Sequence, residues 1–189
     1  VAYFTDQEEM DMLTRMQEEV LKTVVKYAPV AIEKPDDYEA RSNLMWASSW
    51  ALNGFLFSGV SQDAIAHMIE HELSAFYNIT HGHGLAIIIP RWLTYILSDK
   101  TAPKIKRFGV NVLGVDASLS DMDGAKAAIA ALEKFYFETL GLQSRLSDLG
   151  IDDKNFALMA KKACSAKGKL VGFTTLTPAD VEEIFKMSL

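Results

Sequence analysis

With 189 residues, 49% of them hydrophobic, the chain is long enough for one domain with a substantial core and too short to favour two. Its nineteen basic and twenty-five acidic side chains leave a net charge of −6, which argues against a nucleic-acid partner, and no apolar run is long enough to span a membrane. Cys164 is the only cysteine, so no internal disulfide can form; with no basic start followed by an apolar run, this points to a reducing, cytoplasmic setting.

The chain opens on Val1-Ala2-Tyr3-Phe4 without an initiating methionine, as expected of tag removal, of maturation, or of a fragment whose upstream part is absent. Residues 8–27 predict a first helix. Met12, Leu13, Met16, Val20, Val24 and Tyr27 recur at three- and four-residue spacing, and Pro29 is expected to end the run. A second helix is expected from about Asp37 to Leu56. Its stretch Leu44–Leu52 carries almost no charge on any face, which predicts burial nearly all round with Trp46 and Trp50 as core anchors. Gly54 and Gly59 bracket the next turn, and Ser61 is placed to cap a third helix over about Gln62–Phe76. After a break at Asn78-Ile79-Thr80, a fourth helix runs from His81 or Gly82 to about Leu97, with Pro90 either kinking it or sitting in its early turns. Leu85–Ile89 alone also reads as a strand, but no second strand of comparable quality exists to pair with it.

Pro103–Val112 reads as a short helix or an irregular segment. Asp121-Met122-Asp123-Gly124 leads into a helix to about Leu140, with Ala127, Ala128, Ala131, Leu132, Phe135 and Tyr136 expected inward. Leu146–Gly150 is a linking turn, Asp152 or Asp153 starts a helix through Cys164, and Lys167-Gly168-Lys169 is a loop. Thr177-Pro178-Ala179-Asp180 starts the last helix, with a cap hydroxyl, a proline at the first helical position and an acid three residues after the cap. The expected fold class is all-α, a multi-helix, bundle-like domain.

All four histidines fall between His67 and His83. His67 and His71 are four apart and so share one face of the third helix, while His81 follows a break that can fold the chain back over that face. Imidazoles in this arrangement suit a divalent transition metal, with Asp or Glu oxygen commonly completing the site. Glu72 and Asn78 are candidate partners to fix an imidazole tautomer. The metalloprotease pattern H-E-x-x-H is absent, because Ala75 stands where its second histidine belongs. Phe76, Tyr77 and Trp92 are candidates to wall a substrate pocket, although large aromatics more often serve cores. The residues alone leave three readings open: a metal-assisted hydrolase, a redox enzyme using metal as a Lewis acid, and a non-enzymatic helical domain with a structural or regulatory metal.

The stretch from Ala66 to Gly82 resembles the signature of the iron-containing alcohol dehydrogenases, most closely their butanol-dehydrogenase-like branch. Arg41–Ala47, Leu52-Asn53-Gly54, Leu85–Trp92 and Gly172–Val181 resemble the same branch, so the likeness spans nearly the whole chain. It implies a metal-dependent oxidoreductase that passes hydride between NAD(P)(H) and an alcohol/aldehyde pair, with Fe²⁺ or Zn²⁺ as the metal and NAD or NADP as the nucleotide. It also implies two domains, with residues 1–189 the helical metal-binding one and an NAD(P)-binding α/β domain outside this chain. By the same resemblance the metal is held by an Asp and three His. His67 and His81 match two of these ligands, and the other two, an Asp and a His four residues apart, fall upstream of Val1. His71 matches a histidine close to the reacting carbon and the nicotinamide that assists proton transfer without binding metal. His83 lies where the family varies and stays outside the site. The isolated chain is accordingly expected to be nearly inactive, to hold metal loosely, and to expose a face that favours a homodimer.

Overall fold

Some helix starts are fixed by a capping side chain. The computed structural model describes residues 3–4, 10–58 and 64–189, and over these it contains eight α-helices. They are α1 (Asp11–Glu33), α2 (Tyr38–Leu52), α3 (Ile65–Tyr77), α4 (His81–Tyr95), α5 (Ala102–Leu113), α6 (Asp121–Glu133), α7 (Phe156–Ala163) and α8 (Pro178–Met187). Asp37 caps α2 by accepting the Ala40 N–H at 2.8 Å, and Ser120 caps α6 by accepting the Asp123 N–H at 3.1 Å. The expected capping box of α8 is present: Thr177 accepts from the Asp180 N–H while the Asp180 carboxylate accepts from the Thr177 N–H. The strands β1 (Leu170–Val171) and β2 (Thr175–Leu176) form a short antiparallel hairpin, with Leu170 opposite Leu176. Its two-residue strands left no periodic signal to read beforehand.

The core is built from helix pairs. α5 and α6 pack most extensively, because Gly109 lets the two backbones approach: a Cβ there would lie 2.4 Å from the Cβ of Ala128. α3 contributes Ile65, Ile69 and Leu73 and α4 contributes Ile87, Ile88, Trp92 and Leu93, all essentially inaccessible to water. α7 packs against α3, while α6 and α8 pack against α4, so three helices support the α3–α4 pair. α1 packs against both α5 and α2. Phe4 meets Trp92 edge to face at 5.9 Å within this core. Among the described residues no helix is long and apolar enough to cross a membrane.

The all-helical expectation holds, with local corrections. α1 does not stop at Pro29 but runs through it to Glu33, and the Lys34 N–H donates to the Val30 carbonyl at 2.8 Å. A proline deletes one donor, and here the ladder simply resumes beyond it. α2 ends at Leu52, where Asn53 and the left-handed Gly54 (φ 84°) break the run before a single 3₁₀ turn at Phe55–Phe57. Nor is α2 buried all round: only Ala40 and Ala47 are buried, whereas Trp46 is 65% exposed. Its main neighbours among the described residues are α1 and the turn that follows it, so much of its uncharged surface stays open. Trp46, Trp50 and Phe55 instead form an edge-to-face ladder, with ring centroids 5.9 and 5.7 Å apart. Gly59, Ser61 and the expected start at Gln62 lie outside the described residues. Leu85–Ile89 is helical, inside α4. The inward stripe of α6 is Gly124, Ala125, Ala128, Ile129 and Leu132, one position out of phase with the expectation at Ala127 and Ala131, and a π-turn over Lys134–Thr139 replaces its last turn.

Candidate metal centre

The site is made by the turn between α3 and α4. Asn78 ends α3 in the left-handed conformation (φ 51°), which asparagine tolerates better than most side chains, and its N–H closes the last turn on the Ser74 carbonyl. Three residues later α4 begins at His81, so the first turn of α4 is delivered onto the α3 face that carries His67 and His71. That face is one turn long because His67 and His71 are four apart.

Nδ1 of His67 lies 3.1 Å from Nε2 of His81, and the two rings stack at 5.1 Å with 19° between their planes. The ring of His71 sits 5.3 Å from that of His81 and 6.1 Å from that of His67. One nitrogen from each of the three converges within 4.8 Å of the others. Nitrogens bound at about 2.0–2.1 Å to a tetrahedral ion stand roughly 3.3 Å apart, so the His67–His81 spacing is that of one edge of a coordination polyhedron. The donor set therefore fits a divalent ion. Burial pushes the His67 imidazole below its ordinary range, with repulsion from His81 and His71 adding to the effect, and this favours the neutral form that a metal ligand needs.

A residue the sequence reading passed over holds the other side of His81. Nδ1 of His81 is bonded to Oε2 of Glu70, a carboxylate wholly removed from water. Ser74 donates its hydroxyl to Oε1 of the same carboxylate at 2.6 Å. Neither Glu72 nor Asn78 takes this place. Glu72 follows His71 along a partly exposed side of the helix, and Asn78 is spent on terminating it. The signal was present in the sequence: Ala66, Ile69, Glu70 and Leu73 form the inward stripe of α3, and an acid within such a stripe needs a partner. His83 turns away, its Nε2 against the Gln143 carbonyl at 2.9 Å. Trp92 is fully buried, whereas Tyr77, whose hydroxyl accepts from Asn155 at 3.2 Å, and Phe76, under the Lys162 ammonium, are half-buried. An apolar cleft of about 290 Å³, lined by Val20, Leu21, Leu52, Leu56 and Phe57, reaches His67.

Residues 2–189 match the family model for the C-terminal part of the Fe-containing alcohol dehydrogenase family. The chain is 44% identical over 188 residues to NADH-dependent butanol dehydrogenase B of Clostridium acetobutylicum, covering 99% of this chain and 48% of that protein. It is 36% identical over 160 residues to the NADPH-dependent aldehyde reductase YqhD of Escherichia coli, covering 85% of this chain and 41% of the reductase. The fold superimposes on a crystal structure of the NADH-dependent butanol dehydrogenase A of Thermotoga maritima with a TM-score of 0.87 and 31% identity, covering 99% of this chain and 48% of that one. The chain thus spans about half the length of the curated relatives it matches.

Proposed function

This chain belongs to the Fe-containing alcohol dehydrogenase family, and from that premise we propose that residues 1–189 form the helical, metal-binding half of a longer polypeptide whose other half binds NAD(P)(H). Matches covering nearly all of this chain and about half of each relative support the division. The reaction proposed for the whole is reversible hydride transfer between NAD(P)(H) and a small alcohol/aldehyde pair, as the names of the similar butanol dehydrogenases and aldehyde reductase indicate for those proteins. Cys164, the one cysteine of the chain and a buried free thiol, supports a cytoplasmic setting.

The convergence of His67, His71 and His81 carries this reading. His67 and His81 would hold the metal through Nδ1 and Nε2, the nitrogens that already face each other. The bound ion, Fe²⁺ or Zn²⁺, would supply Lewis acidity toward the substrate oxygen, and the nicotinamide would supply or accept hydride. His71, more exposed than His67 and beside the same point, would hold and release the proton at a ring nitrogen. The apolar cleft reaching His67 offers a wall for an aliphatic substrate chain while excluding water. The test is NAD(P)H oxidation by the parent polypeptide with butanal, before and after chelation and after readdition of Fe²⁺ or Zn²⁺. Loss and metal-specific recovery are expected; full turnover in stripped protein would overturn the proposal.

A further inference from the structure

We propose that Glu70 is the positioning residue that fixes His81 for metal binding, an inference that rests on the metal reading above. Glu70 is the charged side chain of an otherwise apolar stripe, and its exposure is 0%. An ionised carboxylate taken out of water is costly unless its oxygens are bonded. Here both are: Oε2 meets Nδ1 of His81, and Oε1 accepts the Ser74 hydroxyl at 2.6 Å. The site also keeps space for this carboxylate. A Cβ at Gly84 would stand 2.6 Å from Oε1 and 2.7 Å from Cγ of Glu70, so glycine in the first turn of α4 is what lets the acid lie beneath His81.

The chemical consequence concerns which nitrogen is free. With the proton of the neutral imidazole held on Nδ1 by Glu70, the lone pair sits on Nε2, the atom 3.1 Å from His67 Nδ1. The carboxylate also stops the ring from turning, which matters because the His81 side chain is 45% exposed and α4 constrains only its Cα. It further increases the electron density that the imidazole offers a cation. Ser74, one helical turn after Glu70, orients the carboxylate in turn.

The experiment uses the parent polypeptide and Co²⁺, read by its ligand-field absorption and by chelator competition, with the unfolding of each metal-free protein recorded alongside. Glu70→Gln keeps the shape and one acceptor oxygen, and is expected to weaken Co²⁺ binding about tenfold; Glu70→Ala is expected to approach 100-fold. Both should alter the Co²⁺ band, and metal-free Glu70→Gln should unfold close to the unmodified protein. ¹⁵N spectra of histidine-labelled, metal-free protein supply a readout independent of any Glu70 substitution, with the His81 signals assigned by their absence in His81→Ala. They should show His81 protonated at Nδ1, and an Nε2–H tautomer would overturn the proposal. Unchanged Co²⁺ affinity and spectrum in both Glu70 variants, with binding lost in His81→Ala, would also overturn it while leaving the metal reading intact. Undiminished Co²⁺ binding in His67→Ala and His81→Ala would remove the metal reading, and the Glu70 role with it.

Discussion

Three imidazoles meet at one point, yet two chemical tasks are assigned to them, and substitutions separate the tasks. His67→Ala and His81→Ala are expected to strip the metal, since each removes one corner of the polyhedron edge described by the 3.1 Å contact. His71→Gln should retain metal and lower turnover by about 10²–10⁴-fold, the usual contribution of a positioned proton carrier. Metal analysis beside steady-state rates checks this, and metal loss in His71→Gln equal to that in His81→Ala would make His71 a ligand. The histidine cluster itself was legible, because a four-residue spacing on a helix fixes a shared face before any fold is known. The carboxylate behind His81 was overlooked for a physical reason. Spacing along one helix shows that Glu70 points inward, but only the packing of α4 across α3 shows what it meets there.

Helix pairing yields its own tests. Gly109 leaves no room for a Cβ against Ala128, so Gly109→Ala must push α5 from α6 and is expected to cost about 1–3 kcal/mol in thermal or denaturant unfolding. An unchanged midpoint would mean that the two helices slide without penalty. α4 and α8 are tied by the Tyr95 hydroxyl, which donates to Asp180 at 2.6 Å, and this bond to the carboxylate, with burial adding, raises the phenol from 10.0 to about 12. The folded protein therefore keeps a proton that the unfolded chain loses near pH 10, and stability falls as pH rises from about 10 to about 12. Melting curves across this window should fall more steeply for the unmodified protein than for Tyr95→Phe, and equal slopes would contradict the tie. Most helix identities were legible because caps and periodicity are local, as at Thr177–Asp180, whereas the pattern over Pro103–Val112 fits a helix and an irregular segment alike. The environment of α2 was not. An uncharged helix signals burial without naming what buries it, and in this chain α1 and one turn cover only a single side.

At the scale of the whole chain, two exposures coincide. The histidine cluster opens at the α3–α4 turn, and α2 presents Met45, Trp46 and Leu52 at 72%, 65% and 83% exposure. The relatives are about twice as long, and on the proposed division the rest of the polypeptide covers this surface and completes the metal's ligands. Purified residues 1–189 should consequently show negligible NAD(P)H-dependent aldehyde reduction and hold divalent metal far more weakly than the parent polypeptide, as equilibrium dialysis would register. Parent-like rates from residues 1–189 alone would contradict the proposed division of labour. The most direct measurement is anomalous diffraction from crystals of the parent polypeptide loaded with Zn²⁺ or Fe²⁺. A peak at bonding distance, about 2.0–2.2 Å, from imidazole nitrogens of both His67 and His81 is the expected result, and metal bound elsewhere with these two rings left unligated would contradict it.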